Sequence, residues 1–250
     1  MWQHCGIRMF IIERDIYARQ AIASYLAWDR RTHVIGMAAS HYEMIAALHE
    51  EYEEIPRLDA VTLNADMVTN PSELAGQIKL IRHYTGGAEI VCLTSRIDLG
   101  MVLAARQAGG AAFLSRETVG LGVAGAVEFV LTHDFTVTED IAHALENYLT
   151  GDLSVMPGRR QYNRLTPRIE QALWLCVIEG LPAELAAEEM GVSISTVRSY
   201  IKEGYRILES EDDTAYPVSA SPAERAFRRF TALEEDEMIL QTHMPWRPAA

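Results

Sequence analysis

Cysteine is scarce in this 250-residue sequence, which contains only three: Cys5, Cys92 and Cys176. An odd number excludes a fully paired disulfide framework, and no two of them have the short spacing of a zinc site. Two of the three lie in strongly apolar runs. We therefore expect ordinary thiols, with no metal site and no cofactor.

Long apolar runs are also absent. No stretch approaches the roughly 20 apolar residues of a transmembrane helix. The start, MWQHCGIRMFIIERD, lacks the basic segment followed by a clean apolar segment that is typical of a secretory signal. The sequence predicts a cytoplasmic protein without a membrane partner.

Positive charge is in short supply, because 22 Lys and Arg face 35 Asp and Glu, for a formal net charge of −13. This balance disfavours a nonspecific binder of polyanions. The segment 158–209 is locally neutral, with seven basic and seven acidic residues. Nucleic-acid binding is expected only there. Without long-range attraction, tight binding should need two copies of the chain and modest salt.

Signatures of an enzyme are missing as well. Five histidines are scattered without a neighbouring nucleophile or ligand pairing: His41, His49, His83, His133 and His143. The Gly-Gly pairs at 86–87 and 109–110 precede predicted strands, whereas phosphate-binding loops join a strand to a helix. We expect no catalytic residues and no enzymatic activity.

The segment 165–209 reads LTPRIEQALWLCVIEGLPAELAAEEMGVSISTVRSYIKEGYRILE. It contains residues that typically begin and end helices, at spacings that predict three short helices. Thr166 can cap the first helix, and Gly180 ends it. The second helix ends at Gly191, a residue that can adopt the left-handed conformation of a tight turn. Ser193 can cap the third helix. This order predicts a helix-turn-helix.

The third predicted helix has two different sides. Its apolar stripe is Val197, Ile201, Tyr205 and Leu208. Its outward face is short, polar and basic, and consists of Ser195, Thr196, Arg198, Ser199, Lys202 and Arg206. A face of this kind is typical of a helix that contacts DNA.

Residues 165–209 resemble the DNA-binding domain of LuxR-type transcription regulators, as found at the C-terminus of FixJ-like response regulators. The motifs LTPR, EGL and MGVSISTVRSYI carry the resemblance. It implies that the third helix lies in the major groove of double-stranded DNA, with Arg198, Ser199 and Lys202 at base edges and Thr196 near phosphate. Gly204, which weakens a helix interior, departs from the family pattern.

Residues 1–132 alternate apolar runs with helical patterns, which predicts a flavodoxin-like, doubly wound α/β domain. The predicted strands are Arg8–Ile12, His33–Met37, Ala60–Leu63, Ile90–Leu93 and Ala112–Leu114. The predicted helices are Ala18–Ala27, His41–His49, Ser72–Arg82, Leu99–Ala108 and Val119–Leu131. This layout, with LTS after the fourth strand and GGAAFLSR around the fifth, resembles a response-regulator receiver domain.

The resemblance implies a Mg²⁺ site of two acidic residues after the first strand and a phosphorylated aspartate after the third. The matching positions here are Glu13, Arg14 and Asn64, while Arg116 replaces a lysine and Thr94 is retained. An amide cannot accept a phosphoryl group as a carboxylate does. We therefore interpret the domain as a degenerate receiver, in which a guanidinium from Arg14 or Arg116 bonds Asn64 or Glu13.

Two spare carboxylates, Asp15 and Asp66, lie near this crevice in sequence. We expect Asp66 to point to the wrong side or to lie on a loop, which disfavours it as a phosphoacceptor. A second interpretation of the crevice is that its two arginines bind a small anion or ligand. A small ligand or a regulatory protein at the receiver-like domain is thus retained as a partner.

Residues 133–163 have the Gly, Pro and polar content of a linker around a short helix, Thr138–Leu149. Residues 164–250 are predicted to hold the helix-turn-helix with an extended C-terminal helix and tail. Ser221 begins a capping box for that helix, which bears Phe227 and Phe230. It either takes the place of the dimer-contact helix of LuxR-type domains or packs on its own domain.

Together these features predict a sequence-specific, DNA-binding transcription regulator that acts as a homodimer, independently of aspartyl phosphorylation. Three alternatives stay open. One is a regulator whose degenerate receiver is gated by a small ligand or a protein partner. Another is an RNA-binding antiterminator. The third is a protein-interaction adaptor.

Overall fold

The computed structural model describes residues 6–29, 31–51, 57–145, 153–212, 216 and 219–234. The chain divides into two compact units, Met1–Gly158 and Arg159–Ala250. Within the described ranges, no helix is both long enough and apolar enough to cross a bilayer. Cys5, the end of the helix predicted to reach Leu149, and the tail beyond residue 234 lie outside the described residues.

The first unit contains one parallel sheet with the strand order β2-β1-β3-β4-β5-β6-β7. The strands are β1 (Ile7–Ile12), β2 (Thr32–Ala38), β3 (Ala60–Asn64), β4 (Glu89–Thr94), β5 (Ala112–Ser115), β6 (Thr136–Thr138) and β7 (Ser154–Met156). The order of the first five is that of a flavodoxin-like fold. The predicted fold class is therefore confirmed, and every predicted strand is found within one residue at each end.

Helices connect successive strands: α1 (Ile16–Trp28), α2 (His41–Glu51), α3 (Pro71–Tyr84), α4 (Leu99–Gln107), α5 (Arg116–Val119), α6 (Val123–Val130) and α7 (Glu139–Leu145). The single helix predicted over Val119–Leu131 is wrong in detail. Gly120 has a φ of +49°, which interrupts the helical path and separates α5 from α6.

The prediction that residues 133–163 form a linker is wrong. Thr136 and Val137 pair with β5, and Ser154–Met156 pair with β6, so both segments extend the sheet. Each strand is only three residues long. A run that short shows no alternation or apolar block in the sequence, although its backbone hydrogen bonds still complete the sheet edge.

The central strands of the sheet are buried on both faces, as in parallel sheets covered by helices. Successive residues of β1, Met9, Phe10, Ile11 and Ile12, are at most 2% exposed although their side chains alternate between faces. This double burial explains the unbroken apolar run Met9–Ile12. Cys92 on β4 is buried as well, and burial raises the pKa of its thiol to about 12.

The second unit is helical. Its elements are α8 (Pro167–Leu173), a π-helical continuation (Trp174–Ile178), α9 (Ala183–Met190), α10 (Ile194–Ser210) and α11 (Pro222–Phe230). A small apolar core joins α8, α9 and α10 through side chains such as Ala172, Ala186, Met190 and Val197.

Candidate nucleic-acid interface and receiver-type crevice

The ends of α8, α9 and α10 are fixed by the residues that the sequence indicated. Thr166 and Ser193 accept hydrogen bonds from the backbone N–H groups three residues later, at 3.4 and 3.1 Å. Gly191 adopts the left-handed conformation, with φ +64° and ψ +36°, at the turn between α9 and α10. Residues with a Cβ atom are strained in that backbone conformation, so glycine permits the tight turn after which α10 packs against α9.

α10 presents a polar face to solvent. Ser195, Arg198, Ser199, Lys202 and Arg206 are exposed, whereas Thr196 is half-buried and its hydroxyl lies 2.7 Å from that of Ser193. The opposite side packs on the domain, with Val197, Ile207 and Leu208 buried. Five of the six predicted contact residues thus share an accessible surface, which we call the α10 face.

Two arginines of the α10 face already have acidic neighbours. Arg198 pairs with Glu184 of α9 at 3.2 Å, and Arg206 pairs with Glu203 one turn earlier on α10 at 2.5 Å. Both pairs are largely exposed, so each contributes little stability and can be exchanged for another anion. Glu184 is the residue that sequence reasoning missed here, because it lies 14 positions before its partner.

Gly204 has a packing role. A Cβ at this position would lie 2.9 Å from Cγ and Cδ1 of Leu173, closer than side chains approach one another. Because Gly204 is buried against Leu173 of α8, its missing side chain lets α10 and α8 come together. The departure from the family pattern therefore has a physical reason in this chain.

α11 packs on its own domain through a buried charge network. Arg229 donates to Asp212 at 3.0 Å, and Arg160 pairs with the same carboxylate at 3.3 Å. The hydroxyl of Tyr162 donates to the carbonyl of Arg229 at 2.8 Å, and burial raises the pKa of Tyr162 to about 12. The predicted capping box of Ser221 and Glu224 is present.

In the first unit, the crevice at the carboxyl ends of β1, β3 and β5 is centred on Glu13, which is 1% exposed. Arg116 donates a short hydrogen bond to Oε2 of Glu13. The Asn64 amide donates to Oε1 at 2.9 Å. Of the two arginines predicted to contact this site, Arg116 makes the contact with Glu13. Arg14 is exposed and lines a separate cleft beside α2 and α3.

Asp66 lies in the turn that follows β3, in line with one of its two expected placements, but it does not point away from the crevice. Its carboxylate accepts hydrogen bonds from the Thr94 hydroxyl at 2.6 Å and from the backbone N–H of Ser95 at 2.7 Å. A 3₁₀ turn, Ala65–Met67, capped by the Asn64 side chain, directs Asp66 toward β4. An acidic residue two positions past a strand was the only sequence signal for this placement.

These side chains do not fit the Mg²⁺ ion that receivers hold. Mg²⁺ prefers several carboxylate oxygens and water. The Glu13 carboxylate is engaged by Arg116 and Asn64, and the Asp66 carboxylate by Thr94 and Ser95. Across the described ranges, no group of three His, Cys, Asp or Glu side chains converges as a metal site.

Comparison with known proteins agrees with this architecture. Residues 159–208 match the family model for sigma-70, region 4. The response regulator protein VraR of Staphylococcus aureus is 23% identical over 214 residues, which cover 86% of this chain and 96% of VraR.

Among solved structures, one of the RcsB response regulator of Salmonella typhimurium has 18% identity and a TM-score of 0.48, covering 83% of this chain and 94% of that one. The response regulator ChrA of a heme-sensing two-component system has 19% identity and a TM-score of 0.41, covering 90% and 96%.

A parallel α/β domain is followed in this chain by a helix-turn-helix domain. Over 86% of its length the chain is similar to a response regulator, and its helix-turn-helix unit matches the sigma-70 region 4 model.

Proposed function

We propose that this protein is a cytoplasmic, sequence-specific regulator of transcription that binds double-stranded DNA through the α10 face. The observation that carries the proposal is the exposed polar surface of α10, which follows directly on the Gly191 turn and is supported from behind by α8 and α9. An α-helix of this kind fits the major groove of B-form DNA.

The residues of the α10 face have different proposed roles. Arg198 can donate two hydrogen bonds to a guanine edge, and Ser199 and Lys202 reach neighbouring bases or phosphates. Ser195 and Thr196 lie in the first turn, where hydroxyls and backbone N–H groups contact phosphate. Arg206 lies further along the helix and contacts a DNA phosphate once its ion pair with Glu203 is broken.

Binding as a homodimer follows from the charge distribution. The segment around the helix-turn-helix is neutral and the whole chain is acidic, so one copy attracts DNA only weakly. Two copies that read two half-sites double the contacts. We propose that the first unit, residues 1–158, supplies the dimer interface. Light scattering should then show a dimer at micromolar concentration for that fragment, and a monomer would move the interface to the second unit.

We further propose that aspartyl phosphorylation is not the switch. Asn64 stands where the acceptor carboxylate would be, and its amide is used to hold Glu13. Arg116 supplies to Glu13 the positive charge that a metal would otherwise provide. Thr94, which would meet a phosphoryl oxygen, is already bonded to Asp66. The groups that phosphotransfer would use are thus already hydrogen-bonded to one another.

A second candidate function is gating by a small ligand. It is favoured by the separate cleft beside α2 and α3, to which Arg14 contributes. Such gating is compatible with DNA binding and would act in place of phosphorylation.

Competition between nucleic acids tests the DNA-binding proposal against the RNA-binding and adaptor alternatives. A fluorescent duplex carrying a mapped binding site is displaced from the full-length protein by unlabelled duplex DNA or by RNA of the same sequence. The proposal expects displacement by the DNA at much lower concentration. Equal displacement by RNA would favour the antiterminator. Partner capture that survives alanine at both Arg198 and Lys202, without DNA affinity in the parent protein, would favour the adaptor.

A further inference from the structure

A cleft of about 430 Å³ lies between the first turn of α2, the face of α3 and the loops that follow β1 and β3. Its polar lining includes Arg14, His41, Tyr42, Glu73 and Gln77. Ligands of doubly wound folds bind outside the carboxyl ends of the strands. The cleft has that position, because Arg14 follows β1 and His41 follows β2.

Two buried side chains of this lining have hydrogen-bonding atoms without a partner in the described part of the chain. These atoms are Nδ1 of His41 and Oε1 of Gln77, whose residues are 6% and 8% exposed. Burial lowers the pKa of His41, so its imidazole is neutral near pH 7 and Nδ1 can donate or accept. Neither atom is exposed to solvent, so each pairs with a ligand in the cleft only after its side chain rotates. An unpaired buried polar atom costs free energy, which such a rotation would recover.

Opposite charges line the same cleft. Arg14 and Glu73 are both exposed there, and the structure describes no ion pair between them. The N-terminus of α2, an 11-residue helix, favours negative charge, although Ser40 caps it and Glu43 already lies in its first turn. One anionic group and one cationic group on a single small ligand would match these features.

We propose that this cleft binds a free α-amino acid, with its carboxylate toward Arg14 and the N-terminus of α2, and its ammonium toward Glu73 and Oε1 of Gln77. Rotation of the Gln77 side chain brings its oxygen to the ligand. The exposed ring of Tyr42, whose centroid lies 3.9 Å from that of His41, forms part of the wall. The proposal does not rest on DNA binding, so either can fail without the other.

Calorimetric titration of the full-length protein with each of the twenty standard L-amino acids tests the proposal. At least one should bind. Its analogues lacking only the amino group or only the carboxylate should bind about tenfold more weakly or worse, which is the effect of losing one charged contact. Absence of binding by all twenty, or equal binding of the deaminated analogue, would overturn the assignment.

Variants locate the binding. A Cβ at Gly76 meets no atom within 4 Å, so Gly76→Leu should fold and fill the cleft, abolishing binding. Gln77→Leu and Arg14→Met should each weaken binding about tenfold. Lys79→Leu, at an exposed position of the same helix, is the control and should bind as the parent does. If Gly76→Leu folds and its affinity for the amino acid is unchanged, this cleft is excluded. If Gly76→Leu does not fold, unchanged affinity in Arg14→Met excludes the cleft instead.

Discussion

The guanidinium of Arg116 donates a hydrogen bond to the buried carboxylate of Glu13, 103 residues away in the sequence. The second oxygen of that carboxylate accepts from the amide of Asn64. A buried negative charge is stable only when it is paired and hydrogen-bonded. This chain meets the requirement with its own side chains at a site where receivers use a metal ion.

The first prediction concerns that pair. Arg116→Met should lower the free energy of unfolding by about 2–3 kcal/mol, because it leaves Glu13 buried without a positive partner. The partial exposure of the Arg116 side chain, 24%, keeps the loss below that of a fully buried pair. Urea unfolding measures the difference.

Glu13→Gln in the Arg116→Met background is the matched control. It removes the uncompensated charge and should restore part of the stability. A loss of under roughly 0.5 kcal/mol for Arg116→Met alone would show that the pair does not hold the crevice together.

The second prediction compares two glycines inside helices. Gly204→Ala should destabilise the protein by roughly 1 kcal/mol, because crowding against Leu173 outweighs the gain in helix propensity. Gly76→Ala, with no atom within 4 Å of the new Cβ, should instead stabilise it by roughly 0.5–1 kcal/mol. Thermal unfolding of both variants measures whether each substitution lowers or raises the stability. Stabilisation by both would mean that α8 and α10 are less closely packed than described.

The central strands were predictable because burial on both faces of a parallel sheet requires continuous apolar runs, which Met9–Ile12 and Ile90–Leu93 display. The helix caps were predictable for a local reason, since Ser193 and Gly191 act within three residues of their own position. The strands β6 and β7 were not predictable, because a segment of three residues is too short to show an alternation of apolar and polar side chains.

In the candidate sites, sequence reasoning could propose a contact between an arginine and Glu13 from residue chemistry alone. It could not choose Arg116 over Arg14, since the choice depends on where β5 ends relative to β1. The direction of the Asp66 side chain could not be predicted, because the 3₁₀ turn capped by Asn64 rotates it toward Thr94. The pairing of Arg198 with Glu184 depends on how α9 packs beside α10.

The third prediction concerns the α10 face. Arg198→Ala should weaken specific DNA binding by about 1–3 kcal/mol, through loss of a two-hydrogen-bond contact to a base. Glu184→Gln should tighten binding about twofold to fivefold, because it releases Arg198 from an exposed ion pair. Fluorescence anisotropy at constant salt measures both effects.

Glu189→Gln removes the same charge from α9 at another exposed position, and it serves as the control for Glu184→Gln. Only if Glu184→Gln raises the DNA affinity more than Glu189→Gln does is competition between Glu184 and DNA for Arg198 supported. If Arg198→Ala binds the mapped site as tightly as the parent, with unchanged salt dependence, the assigned recognition surface is wrong.

The fourth prediction concerns phosphorylation. Incubation with acetyl phosphate and Mg²⁺ should leave the intact mass unchanged, because neither Glu13 nor Asp66 is available to hold the metal. Asn64→Asp should also remain unmodified, since Arg116 still occupies Glu13. Mass spectrometry decides the matter. A phosphoryl group mapped to Asp66 or Asp15, accompanied by tighter DNA binding, would show that the crevice works through a different carboxylate.

Selection from a random library of DNA duplexes by the full-length, untreated protein tests the central claim most directly. We expect the library to converge on a two-fold symmetric motif whose half-sites lie about one helical turn apart, because two α10 faces enter successive major grooves. Arg198→Ala should fail to enrich that motif. A library that shows no enrichment with the parent protein, or the same enrichment with Arg198→Ala, would contradict sequence-specific DNA recognition by α10.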